Sequence, residues 1–184
     1  MAVSTGGPGE SSGRLPVTRS GRLGSVQTYT IPRPTTALTV GWMVQMAKAG
    51  ATDMRVRRLA EEIVRGITPK DYLAEGLAVG RWVEANVQYR RDIAGVETLQ
   101  TPAQVLESRV GDCDDLATLI GALLIALGHR VAFVTVAFGS GEWSHVFVQF
   151  IDTRTGRWIV LDPVAAPDVR GMLRRVRRYR IYPV

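Results

Sequence analysis

Cys113, the only cysteine of the chain, lies in Gly111-Asp112-Cys113-Asp114-Asp115-Leu116. Behind it Leu116, Leu119, Ile120, Leu123, Leu124 and Leu127 recur at steps of three and one, the period of a helix with one broad buried face. The thiol then sits on the helix's first turn, where unpaired N–H groups and the positive end of the peptide dipoles favour a nucleophilic thiolate. Two features pull the other way. A free cysteine is commonly an inert core atom, and the carboxylates of Asp112, Asp114 and Asp115 raise the thiol pKa if they face the sulfur. Acids in a first helical turn also cap it, so partner residues have to decide. The candidates are His145, in Trp143-Ser144-His145-Val146, and Asp162, in Leu161-Asp162-Pro163. If Asp162 orients one ring nitrogen of His145 while the other faces sulfur, the three form the nucleophile, base and orienter of covalent acyl transfer. His129, the other histidine, falls in a helix-to-strand turn with no catalytic duty expected.

The elements that must position these residues are legible from periodicity and caps. A helix is expected from Thr36, with Leu38, Trp42, Met43 and Met46 on one face and Gly50 at its end. A second carries Val56, Leu59, Ala60, Ile63 and Val64 inward. A third opens on Thr68-Pro69-Lys70-Asp71 and runs to about Val87. Trp42 and Trp82 read as fillers of this helical layer. The Gly95 segment up to Gln100 reads as loop, and Thr101-Pro102-Ala103-Gln104 starts a short helix ending near Ser108. Gly128 marks the left-handed end of the thiol helix. Beyond it the period becomes that of strands, over Val131 to Phe138, Trp143 to Ile151 and Arg157 to Leu161. An α+β domain follows, helices first and an antiparallel sheet second.

Composition bounds the partners. The net charge of +6 resides in six arginines after residue 169; the remaining basic and acidic residues balance at 17 each. Val176, Tyr179, Ile181 and Tyr182 interleave with those arginines, as in an edge strand with a charged outer face, so nucleic acid is not the expected partner. Residues 1–35 are expected to form an extended arm, since the first 22 are rich in Gly, Ser, Thr and Pro and cannot bury enough surface to order themselves. Residues 36–169 make the domain and 170–184 an Arg-rich tail or edge strand. No apolar run reaches membrane-spanning length, and no signal peptide is recognisable. A soluble protein, cytoplasmic at synthesis and without membrane contact, is expected.

From Ala78 to Pro163 the chain resembles the transglutaminase-like branch of the papain-type cysteine enzymes. The matching pieces are Trp82-Val83 through Tyr89, Thr101-Pro102 to Leu106-Glu107, Gly111 to Ala117, Gly128 before a strand, Trp143-Ser144-His145-Val146, and Trp158 to Pro163. The whole chain is also similar to the small proteins of this kind encoded by tailed bacteriophages and prophages.

The resemblance implies a papain-like fold and a catalytic triad of Cys113, His145 and Asp162. It also implies attack on an amide carbonyl, with an oxyanion held by the Cys113 N–H and a second donor. Gln88, Tyr89 and Gln100 are candidates for that donor. Neither cofactor nor metal is expected, because adjacent carboxylates without a spaced loop do not build a cage. The expected partner is a protein or peptide substrate, with other virion proteins reached through the arm and the basic tail. The competing expectation is a structural virion or adaptor protein that uses the fold without catalysis.

Overall fold

The apolar run behind Cys113 folds into a helix, Cys113–Ala126, with every residue from Asp115 to Leu124 buried. A helix apolar on all sides needs cover on all sides. In this computed structural model, which describes residues 18–20, 28–31, 35–92, 98–139 and 141–184, four other helices and a sheet supply it. The helices are α1 (Thr36–Gly50), α2 (Met54–Ile63), α3 (Tyr72–Asn86), α4 (Pro102–Ser108), the central α5 (Cys113–Ala126) and α6 (Val169–Arg175). The strands are β1 (Thr18–Ser20), β2 (Thr28–Thr30), β3 (Gln88–Tyr89), β4 (Thr98–Gln100), β5 (Val110–Gly111), β6 (Val131–Ala137), β7 (His145–Asp152), β8 (Arg157–Leu161) and β9 (Arg178–Pro183). Helices α1 to α4 pack on one side of α5, and β6 and β7 on the other.

The main sheet is antiparallel in the order β8-β7-β6-β9. Residues in register share a face, so Phe133 lies beside Val148 and Tyr182 on the side facing α5, while Val134 lies beside Phe147 and Ile181 on the opposite side. The inner face joins the main core with Leu119, Ile120 and Leu123. The outer face makes a smaller cluster of Val134, Val136 and Phe147 under Met172 of α6. This α+β arrangement is the one expected from the sequence.

Several local expectations change. Helix α3 begins one residue after Asp71, whose carboxylate accepts from Ala74 N at 3.1 Å, because Lys70 takes a left-handed conformation (φ 68°) that ends any helix starting at Thr68. Residues 98–100 form a strand, not a loop, since they pair with β2, itself paired with β1. The hairpin lashes part of the expected arm to the domain. Residues 1–17, 21–27 and 32–34 of that arm lie outside the described residues, as do residues 93–97 of the expected loop. The Arg-rich segment is half helix (α6) and half edge strand (β9); Tyr182 of that strand packs against the main core. The expected stop at Gly128 is present, with φ +84°, Gly128 N donating to Ile125 O at 2.9 Å and His129 N to Leu124 O at 3.0 Å.

Candidate active site

The site begins with how α5 starts. Asp112 caps it, accepting from Asp114 N at 3.0 Å and Asp115 N at 3.1 Å, while Asp115 reaches back to Asp112 N at 3.4 Å. This reciprocal capping places Cys113 as the first helical residue. Gly111 must approach closely: a Cβ there would lie 2.7 Å from Asp115 Cβ. The parallel pairing of β3 with β5 sets Tyr89 against Gly111, two residues from the thiol.

His145 opens β7 and Asp162 follows β8, the adjacent strand. Asp162 Oδ1 accepts from Val164 N and Ala165 N, both at 3.1 Å, and this turn aims Oδ2 at His145 Nε2, 2.6 Å away. The Asp162 side chain is 1% exposed and that of His145 10%. With Nε2 occupied, Nδ1 is the nitrogen left for another partner. Phe138 stacks on the imidazole at 6.3 Å.

Cys113 and His145 line one cleft of about 490 Å³, together with Asp112, Asp114, Trp143 and the start of α1. The Val146 backbone N–H, next to His145, donates to the sulfur. Among the described residues the thiol makes its side-chain hydrogen bond to Asp114 Oδ1 at 3.4 Å and none to the imidazole. Burial first, then the charges of Asp114 and Asp112, push the thiol pKa well above its ordinary value, against the opposing Val146 N–H. Asp114→Asn is therefore expected to speed iodoacetamide alkylation of Cys113 at pH 8 by up to about tenfold, the equivalent of one pKa unit. An unchanged rate, followed by mass spectrometry, would mean that Asp114 does not hold the proton on sulfur.

The three oxyanion candidates fare differently. Tyr89 stands within electrostatic reach: partial burial, then the charge of a Cys113 thiolate, push its phenol above the ordinary value. Gln88 is exposed, and its backbone N–H is spent on Arg109 O at 2.8 Å. Gln100 is committed elsewhere, its backbone N–H and Nε2 donating to the two Asp115 oxygens at 2.7 Å each and Nε2 also to Val110 O at 3.0 Å. It braces the start of α5 from behind. No signal in the sequence marked that role, nor the donation from Val146 or the stacking by Phe138, because each depends on strand pairing.

Asp115 has its own consequence for stability. Burial, opposed by the Gln100 and Asp112 donors, pushes its pKa up to about 6 from the usual 3.8. The folded state thus binds this proton more tightly than the unfolded chain, so its stabilising effect is full below about pH 4 and lost as pH rises through 6. Gln100→Ala removes one donor to the carboxylate and is expected to destabilise by about 1–3 kcal/mol at pH 8. Melting curves at pH 5 and pH 8 check this, with the larger deficit expected at pH 8, where the carboxylate is charged.

His129 is buried and inactive in position: its Nε2 meets Glu75 Oε2 at 3.1 Å, between Tyr72 and Phe150. Among the described residues no three His, Cys, Asp or Glu side chains gather to hold a metal, and no helix is long and apolar enough to cross a membrane.

A helix that starts at a cysteine and packs on an antiparallel sheet, with a histidine opening one strand and an aspartate just past the end of its neighbour, defines a class of α+β domain. Residues 57–163, more than half of the chain, match the family model of the transglutaminase-like superfamily, and the chain belongs to it. Two solved structures share the fold. A candidate cysteine protease from Cytophaga hutchinsonii is 18% identical with a TM-score of 0.50, the match covering 86% of this chain and 53% of that one. A candidate protease from Parabacteroides distasonis is 13% identical with a TM-score of 0.52, covering 70% of this chain and 26% of that one. This chain therefore spans about half and about a quarter of those two proteins. No curated protein is matched by the sequence.

Proposed function

We propose that this protein is a cysteine amidase, peptidase or acyltransferase working through Cys113, His145 and Asp162. The observation that carries the reading is the 2.6 Å contact from Asp162 Oδ2 to His145 Nε2 at one wall of the cleft that Cys113 lines. In the mechanism the thiol turns from Asp114 to Nδ1 of His145 and gives up its proton there. Asp162 stabilises the imidazolium that forms. The thiolate attacks the amide carbonyl, the oxyanion takes the Cys113 N–H and the Tyr89 phenol as donors, and His145 protonates the leaving amine. Water then releases an acid from the thioester, or a second amine releases a new amide. The two structural neighbours, each described as a candidate protease, favour hydrolysis.

The test is the rate at which iodoacetamide modifies Cys113 across pH. A thiolate paired with His145 reacts at a rate that is already level in the neutral range, whereas an unassisted thiol gains about tenfold per pH unit until it ionises. Fluorescent alkylamine uptake into a glutamine-containing protein then separates transamidation from hydrolysis.

The second reading is a structural or adaptor protein, phage-encoded and virion-associated, that keeps the fold without catalysis. The thiol proton held by burial and by Asp114 favours it. It predicts a native Cys113 that resists alkylation at neutral pH, and co-purification of the chain with virion proteins.

A further inference from the structure

The cleft has a second end, lined by Thr135 of β6, Trp143 and the start of α1, with β9 running beside β6. Thr135 of β6 is in register with Val146 on one side and Arg180 on the other, so all three share the face that carries the cleft. Thr135 lines the cleft and is 3% exposed, and its hydroxyl makes no hydrogen bond. A buried hydroxyl without a partner costs free energy, which a ligand or a water that hydrogen-bonds to it relieves. Trp143 lines the cleft as well, and the guanidinium carbons of Arg178 and Arg180, just outside that lining, lie 5.2 and 5.9 Å from its ring. Arg178 is further fixed by donating to Gly141 O at 2.6 Å. Both arginines are exposed, and among the described residues neither pairs with a carboxylate. The lining includes the N-terminal end of α1, a 15-residue helix with no acid in its first turn, through Thr36 and Thr39. Its dipole adds positive potential to that of the arginines.

We propose that this end is a substrate subsite for a carboxylate, and that the protein selects amides flanked by an acidic group. The inference rests on the enzymatic reading of Cys113. Two strand spacings of about 4.8 Å separate Val146, at the sulfur, from Arg180, so the carboxylate belongs to a residue one or two positions from the scissile amide. The cleft lining itself carries Asp112, Asp114 and Glu142, with the arginines at its edge. The two aspartates crowd the sulfur end, and Glu142 is outnumbered by the two guanidiniums and the helix end.

Chloroacetyl amides test this without a known substrate. In the labelling step sulfur forms a bond to the methylene, chloride leaves with its electron pair, and the thiol proton passes to His145. Wild-type protein is treated at low salt with chloroacetyl-glutamic acid α-amide and with chloroacetyl-glutamine amide, and separately with chloroacetyl-glycylglycine and its amide. The first pair reports a side-chain carboxylate, the second a terminal one. In at least one pair the acid is expected to label Cys113 roughly tenfold faster than its neutral partner, as one charge-assisted contact supplies. Arg178→Gln/Arg180→Gln should bring that ratio to about one. Thr135→Val should reduce the ratio while raising the melting temperature, and Glu142→Gln should increase the ratio. Equal labelling by acid and neutral reagents in both pairs, with Cys113 reactive, overturns the subsite and leaves the enzyme standing. A native Cys113 that none of the four reagents labels, while the unfolded chain is labelled, overturns both.

Discussion

Cys113→Ser is expected to abolish turnover, by on the order of ten-thousand-fold or more, with the fold intact. A serine hydroxyl keeps the shape and can still donate to Asp114 and accept from the Val146 N–H, the two partners of the thiol. What it loses is acidity: an alcohol must be deprotonated fully by His145 during attack, while a thiol enters the reaction as thiolate. Since the sulfur lines a cleft and the partners remain, stability should change by less than about 1 kcal/mol. A cysteine serving only as core filler behaves differently, because a hydroxyl buried without partners costs about 1–3 kcal/mol. Melting curves run beside an activity assay separate the two. A large fall in melting temperature with no activity to lose leaves only the non-catalytic reading.

The second large effect is expected at Asp162. Its two oxygens have separate duties, Oδ1 holding the turn through Val164 N and Ala165 N, Oδ2 holding His145 Nε2. Asp162→Asn keeps the first duty, since an amide oxygen accepts as well as a carboxylate oxygen. It reverses the second. The new NH₂ donates to Nε2 and drives the imidazole proton to Nδ1, the nitrogen that must accept the proton of Cys113. Activity should fall by hundreds- to ten-thousand-fold at nearly unchanged stability. Retention of activity within about tenfold would make Asp162 a turn-former rather than the orienter of His145.

Much of this was legible in the chain because it depends on local rules. The period-of-three-and-one run after Asp114 could only be a buried helix, Gly128 its stop and Thr101-Pro102 a helix start, since these follow from backbone geometry and side chains within a few residues. The later alternation of period two identified β6, β7 and β8, and with them the adjacency of His145 and Asp162. Family motifs singled out Cys113. Tertiary structure decided what depends on neighbours far apart in sequence. Residues 98–100 read as loop because three residues carry too little pattern, and only pairing with β2 makes them a strand. Gln100 read as an oxyanion donor because its type allows it, whereas its 2.7 Å bonds to Asp115 reveal a brace. The thiol's protonation was undecidable locally: a helix start lowers a cysteine pKa, nearby carboxylates raise it, and the winner depends on which side chains face the sulfur and how much water reaches it. The Arg-rich end read as a tail or an edge strand, but only its pairing with β6 sets Arg178 and Arg180 against Trp143 and Arg180 beside Thr135, a juxtaposition spanning some forty residues that strand register creates.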